Sequence, residues 1–416
     1  MRRPPGRPAP MKPENPPSLP QIVVLGAGFG GLKFCQAFPG GLAQLTLVDR
    51  QNHHLFQPLL YQVATAGLSA PDIAQPIRAI LRRKPQLEVR MTEVTGFDLA
   101  ARKVRLGSAE LGYDYLVLAL GSVTGYFGHD DWARHAPGLK SLDDALHIRR
   151  LVLTAYERAE IERDAARQRE LMTMVVVGGG PTGVEVAGAF AELARTVLRK
   201  DFDRIDPAKA RVVLVEGSPR LLAAFPPDLS ASAQRQLERL GVEVHTGVHV
   251  QEIREGEVVL PQGAIRAGTI VWAAGVAANP LTRILGVETD RAGRVPVAPD
   301  LSLPGHPEVF AVGDLAVLTD RNGRVVPGVS PAAMQMGAFA ARLIAREIRT
   351  GRRGFVDRPA FAYRDKGSMA TIGRSKAVAM IGRLHFSGYP AWLAWLGVHL
   401  LFLIGFRNKV AVLFQW

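Results

Sequence analysis

Apolar residues in this chain gather in short unbroken runs that end in glycine. Ile22-Val-Val-Leu25 runs into Gly26, and Met174-Val-Val-Val177 runs into Gly178. Each run is short and β-branched and precedes an Ala/Leu-rich helical stretch, the pattern of a strand buried on both faces. Leu45-Thr-Leu-Val48 closes a strand–helix–strand unit over residues 21–49, and Val212-Val-Leu-Val215 closes a second. Further strands are expected at Leu87–Met91, Tyr115–Ala119, Val242–His245 and Thr269–Ala273. Leu118-Ala-Leu-Gly121 is echoed by Val271-Trp-Ala-Ala-Gly275, so the repeat covers a whole domain. The pattern predicts an α/β fold with two Rossmann-like dinucleotide-binding domains. A long charged helix, about Asp143 to Glu170, leads into the second. A buried strand ends at Gly313-Asp314, and Ser330 is placed to cap a helix whose first residue is Pro331.

The glycines say what the loops do. Gly26-Ala27-Gly28-Phe29-Gly30-Gly31 and Gly178-Gly-Gly180-Pro181-Thr182-Gly183 both fit G-x-G-x-x-G between a strand and a helix. The first glycine makes the tight turn, the second lets backbone approach a pyrophosphate, and the third lets helix and strand pack closely. The pyrophosphate then meets free N–H groups at a helix start. An acidic residue ending the next strand accepts hydrogen bonds from a ribose. Asp49 sits about 20 residues on, near the usual spacing. Glu216 is its counterpart, set further out by a basic insertion from Arg199 to Lys209. Two such sites in one chain imply two nucleotides and electron transfer between them.

Composition narrows the chemistry. The 416 residues allow two or three domains, and 47% hydrophobic with 21% charged residues is ordinary for a globular protein. The net charge of +13 is not ordinary and suits an anionic partner, nucleotides or anionic lipid. No Cys/His spacing points to a metal, and no module points to nucleic acid. Cys35 is the only cysteine, so a dithiol relay is excluded, and Cys35 itself reads as a small buried hydrophobe. Residues 1–20 read as a disordered basic, Pro-rich tail, neither a secretory signal nor a transit peptide, with Met11 as an alternative start.

The end of the chain differs in kind. From Ala391 to Phe406 only His399 can carry charge, with Trp392, Trp395 and Trp416 in and beyond the run and Arg407 and Lys409 flanking it. The run is shorter than the roughly 18–20 residues that a span requires. It reads as an interfacial segment with tryptophans at headgroup depth, and a core helix or homodimer interface is the alternative.

Together these residues resemble the type II NADH dehydrogenases, single-subunit flavin NADH:quinone oxidoreductases. The resemblance rests on both Gly loops, His54-Leu-Phe-Gln-Pro-Leu-Leu-Tyr61, Val309-Phe-Ala-Val-Gly-Asp314, the stretch from Gly367 to Ala379, and the closing Trp392, Trp395, His399 and Asn408. It implies tightly but non-covalently bound FAD at the first loop and NADH at the second. The expected domains are a discontinuous FAD domain over 21–145 and 276–365, an NADH domain over 146–275 and a membrane-associating helical region over 366–416. For the cofactors the resemblance implies Gly26, Ala27, Gly28, Phe29, Gly30, Gly31, Asp49, Arg50, Val94, Ala119, Gly121 and Asp314, then Gly178, Gly180, Pro181, Thr182, Gly183, Glu216, Ala274 and Gly275. Asp314 would bond the ribityl chain, and the helix at Pro331 would aim its positive end at the flavin pyrimidine edge. Catalytic roles fall on Glu185 at the nicotinamide–flavin junction, and on Lys376 and Gln335 at the quinone end. One departure stands out: the family's A-Q-x-A-x-Q motif keeps its second glutamine as Gln335 but has Pro331 in place of the first.

The implied activity is non-proton-pumping transfer from NADH through FAD to a membrane quinone, by a peripheral protein on the cytoplasmic face. The rival readings are a soluble reductase of a small acidic redox protein and an NADH-binding flavoprotein sensor.

Overall fold

The computed structural model describes residues 19–351 and 357–415. Residues 1–18 of the expected disordered tail, and Trp416, lie outside the described residues. The first unit runs β1 (Gln21–Leu25), α1 (Phe29–Ala37), β2 (Gln44–Asp49), β3 (Leu87–Met91) and β4 (Tyr115–Leu118). Helix α2 (Leu142–Ile161) follows. The second unit runs β5 (Thr173–Val177), α3 (Pro181–Glu192), β6 (Arg211–Glu216), α4 (Pro227–Arg239), β7 (Val242–Thr246) and β8 (Thr269–Trp272). The chain then returns to the first unit with β9 (His306–Ala311) and α5 (Ser330–Thr350). It ends in β10 (Ser368–Gly373), β11 (Lys376–Ile381), β12 (Leu384–Ser387), α6 (Tyr389–Phe402) and α7 (Phe406–Gln415).

The first sheet is ordered β9-β4-β1-β2-β3, parallel throughout, with Ser302–Leu303 added antiparallel at one edge. The second is ordered β7-β6-β5-β8 and is also parallel. In both, the strand feeding the Gly loop lies between neighbours reached by different crossovers, which opens a crevice at the carboxyl ends. Each unit inserts an antiparallel three-stranded meander before its last expected strand, over 96–112 in one and 252–266 in the other. A short ribbon pairing Ser122–Thr124 with Val276–Ala278 joins the two units.

Helix α5 closes the first unit. It crosses α1 so tightly that a Cβ on Gly337 would stand 2.2 Å from the Gly30 carbonyl oxygen. Its far end is held by a buried network. Glu347 accepts two bonds from Arg358, at 2.7 and 3.0 Å, and one from the Tyr115 hydroxyl at 2.9 Å, while Arg358 also reaches Asp300 at 2.9 Å. On the other side, the β10–β12 sheet lies on α3, where a Cβ on Gly188 would stand 1.8 Å from the Ile372 carbonyl oxygen.

Three expectations need correction. The charged stretch from Asp143 to Glu170 is two helices, because Glu162 turns extended and Asp164 caps a new helix, Ala165–Leu171, by accepting from the Ala166 N–H. The extended residue at the start of α5 is Val329, so Ser330 is the first helical residue and not the cap. The apolar C-terminal run is broken after Phe402, where Gly405 takes φ +93° and starts a second helix.

Candidate functional site

The first loop assigns each glycine its task. Gly26 has φ +98°, and a Cβ there would stand 2.3 Å from the Ala119 carbonyl oxygen. A Cβ on Gly31 would stand 1.9 Å from the Gly26 carbonyl oxygen, so helix and strand can meet only through glycine. Gly28 has nothing within 4 Å of its would-be Cβ. That is open space where a phosphate must approach backbone. Asp49 folds back from β2 and accepts from the Ala27 N–H at 2.6 Å and the Gln51 N–H at 2.8 Å. His54, whose pKa is lowered by burial, is neutral and donates from Nδ1 to the Ala27 carbonyl oxygen at 2.8 Å. Phe29 packs edge-on against His54 and Phe56.

The second loop repeats this in detail. Gly178 has φ +112° and would clash through a Cβ with the backbone of Ala273 and Ala274 at 2.6 Å. A Cβ on Gly183 would overlap the Gly178 carbonyl oxygen, while Gly180 again has nothing within 4 Å. Glu216 accepts from the Gly179 N–H and, at 2.6 Å, from the Ser218 N–H. Pro181 and Thr182 begin α3 and are exposed. Both loops thus fit a dinucleotide on three counts: a vacant middle glycine, a helix start and a carboxylate at the strand end.

Between the loops lie the titratable groups. Glu185 stands on α3 beneath β10. Burial pushes its carboxyl up to about 8, against a weaker opposing pull from the Thr371 backbone N–H. Tyr61 lies nearby, its phenol pushed well up by burial and by the Glu185 charge. Glu192, two helical turns further on, accepts from the Arg374 N–H. Burial raises its pKa, and Lys376 is among the groups pulling it back. Lys376, at the start of β11, is half-buried. Glu185 and Lys376 therefore both belong to the contact between α3 and the β10–β11 hairpin.

Asp314, at the end of β9, accepts from the Ser122 hydroxyl at 2.8 Å, and Lys140 donates to that hydroxyl at 3.3 Å. Burial lowers the Lys140 pKa, and Asp314 partly restores it. Sequence reasoning missed both Lys140 and His54. Lys140 precedes a helix cap and has the look of a surface residue. His54 lay inside a recognised segment that gave it no task. Of the remaining expected residues, Gly121 turns with φ +67°, Val94 and Ala119 are buried, and Arg50 is exposed. Ala274 and Gly275 lie at the exit of β8, half-buried.

Gln335 stands on a different element from Lys376, on α5 and not on the β10–β11 hairpin. Its amide is clamped on the backbone of Arg364, giving one bond at 3.0 Å and accepting another at 3.0 Å. It lines a cavity of about 270 Å³ with Pro331, Met334, Phe339, Phe361 and Phe402, rimmed by Lys33, Arg342 and Lys366.

The C-terminal helices seal this side. His399 donates from Nδ1 to the Trp395 carbonyl oxygen at 2.7 Å, and burial takes its pKa down to about 4. Its ring meets Trp395 and Phe56. Trp395 is 1% exposed, so it packs inward and not at headgroup depth. Asn408 donates to the carbonyl oxygens of Pro71 and Asp72 at 2.9 and 2.7 Å. Tyr389, Leu393, Leu401, Phe402 and Leu413 are left facing outward. Among the described residues, no helix is long and apolar enough to cross a membrane.

A model of the pyridine nucleotide-disulphide oxidoreductase family matches residues 20–337. The chain is 43% identical to the type II NADH:quinone oxidoreductases NdhA and Ndh of Mycobacterium tuberculosis, alignments that cover 95% and 97% of this chain and 86% and 88% of theirs. The fold matches that of NDH2 from Plasmodium falciparum in complex with NADH, with a TM-score of 0.87 at 20% identity, covering 95% of this chain and 97% of that one. It also matches a sulfide:quinone oxidoreductase from Aquifex aeolicus, with a TM-score of 0.75 at 18% identity over 94% and 92% of the two chains.

Proposed function

The chain belongs to the pyridine nucleotide-disulphide oxidoreductase family and, within it, to the type II NADH:quinone oxidoreductases; from that premise we propose a division of labour among its residues. The protein is an FAD-dependent, non-proton-pumping NADH:quinone oxidoreductase. No disulphide takes part, since Cys35 is buried and its thiol is pushed up to about 12. The net reaction takes NADH, a proton and a quinone to NAD⁺ and a quinol. FAD, held at the first loop, would supply the two-electron chemistry that links NADH to the quinone.

The first loop with Asp49 holds the ADP half of FAD, in a domain made of 21–145 and 276–365. The start of α5 and the half-buried Lys140 lie close to Asp314 and would supply positive potential toward the negative charge of a reduced flavin ring. The second loop with Glu216, within 146–275, holds NADH, and a carboxylate at that place repels a 2′-phosphate. Glu185, its carboxyl pushed up to about 8 by burial, orients the nicotinamide ring or relays a proton where the two ligands meet. Lys376 and the cavity beside Gln335 serve the quinone. Residues 366–415 rest on the cytoplasmic face of a membrane through Leu393, Leu401 and Leu413, and the excess of basic residues favours anionic headgroups. A homodimer is compatible with the same exposed face.

The observation that carries this reading is the pair of matched loops of unequal cover: α5 walls the first, while the second opens to solvent at Pro181 and Thr182. That difference supports a retained ligand at the first loop and an exchanging one at the second. Anaerobic NADH should bleach the flavin absorbance and a quinone should restore it; failure of either half rejects the assignment. Replacing Leu393 and Leu401 together by Asp should release the protein from anionic vesicles while turnover of a water-soluble quinone persists. Retained vesicle binding would reject the C-terminal surface.

A further inference from the structure

The segment joining the two units carries an anomaly. Phe127 is the only aromatic among the described non-glycine residues with positive φ, at +54°. Bulky side chains avoid that region, and such strain persists where the surroundings or a ligand hold it. Its ring is also 73% exposed, among the most exposed large apolar side chains described. The base of its loop is fixed: the Gly125 N–H donates to the Gly275 carbonyl oxygen at 3.2 Å, and the Trp272 indole N–H donates to the Gly125 carbonyl oxygen at 2.9 Å. The ring itself meets Trp272 edge-on at 6.1 Å and would stand 3.2 Å from a Cβ on Gly275. A contiguous path of backbone contacts leads from there to the nucleotide loop, since Gly178 abuts Ala273 and Ala274.

Topology says which half of the nucleotide lies there. Glu216 ends β6, on one side of β5, and Phe127 stands over the exit of β8, on the other. With the adenosine ribose at Glu216 and the pyrophosphate over Gly180, the remaining half extends toward β8. We propose that Phe127 is a binding residue that packs its exposed ring on the nicotinamide-ribose half of NADH. The proposal rests on the assignment of NADH to the second loop.

The test uses the flavin-loaded enzyme and two probes, NADH and ADP, which lacks the whole nicotinamide-ribose half. In Phe127→Ala and Phe127→Gly, the NADH concentration giving half-maximal flavin bleaching in rapid mixing should rise roughly tenfold, the size of a lost aromatic stack. The inhibition constant of ADP should change by less than about twofold, since its contacts at Gly180 and Glu216 remain. Phe127→Trp should restore NADH binding. Phe127→Gly should melt no lower than the parent, because glycine accepts φ +54° freely, which separates a ligand contact from a structural one. Equal weakening of both probes, or no weakening of NADH while Glu216→Gln still weakens it, overturns the proposal. If neither Phe127→Ala nor Glu216→Gln affects NADH, the second-loop assignment itself fails.

Discussion

The two Gly loops solve one local problem identically and differ in what lies on top of them. In each, a glycine of positive φ abuts the neighbouring strand exit, and a vacant glycine faces solvent space. In each, a strand-end acid ties two backbone N–H groups. The difference is in cover. Helix α5 crosses α1 at Gly30, inside the nucleotide loop, whereas β10 crosses α3 at Gly188, more than a turn beyond it. With FAD at the first loop and NADH at the second, as proposed, the shared motif would serve both nucleotides and the element packed on it would set which one exchanges.

The largest expected effect tests that division directly. Gly28 and Gly180 both have extended backbone angles open to any residue, with φ −66° and −72°, and both face empty space. A side chain there costs the fold little and blocks a phosphate. Gly28→Val should yield folded protein without flavin. Gly180→Val should keep full flavin and slow its reduction by NADH on the order of 100-fold. The flavin-to-protein absorbance ratio and rapid mixing check each arm. Loss of flavin in both variants would end the distinction between the sites.

Next in size is the network that fixes the cover. Glu347→Ala leaves Arg358 buried without its main partner and should cost about 3–5 kcal/mol in urea melts. In the second unit the Arg254–Glu257 pair lies at the surface, with Arg254 59% exposed. Glu257→Ala should cost less than about 1 kcal/mol. Similar losses in the two variants would mean that α5 is not what makes the first unit rigid.

What the sequence made legible divides along the same line. Strands, loops, glycine tasks and both acids follow local rules of spacing and backbone geometry, and the structure places them together. What was illegible depends on contacts made across the chain. Lys140 belongs to the site because Ser122 and Asp314 arrive from elsewhere. Gln335 carries the look of a free headgroup ligand, yet Arg364 claims both ends of its amide. Trp395 has an interfacial composition around it and is nonetheless buried, because α6 turns that face onto β11 and the Phe56 segment.

A smaller effect sharpens the pairing of the acids. Glu216→Gln removes the charge that meets a 2′-phosphate, so preference for NADH over NADPH should fall about tenfold in kcat/KM, a modest electrostatic term. Asp49→Asn should leave that preference where it was. An unchanged ratio in the first variant would place the adenosine ribose away from Glu216.

The smallest effect concerns the one helix position where the loops diverge in charge. Seven residues after the first glycine, α1 carries Lys33, turned toward the outer cavity, and α3 carries the half-buried Glu185. The Glu185 pKa in the folded protein is about 8 against an ordinary 4.5. Between those values the folded state keeps a proton that the unfolded chain has lost, so this group's contribution to stability falls as pH rises through the window. Glu185→Gln should melt as the parent does near pH 4.5 and progressively higher than the parent up to pH 8, by a few degrees at most. Lys33→Gln removes no carboxyl and should leave that slope unchanged. Parallel melting curves for Glu185→Gln and the parent across the window would mean that Glu185 is ionised at neutral pH. It would then meet NADH as a charge, and the second loop would lose the proton donor that sets it apart from the first.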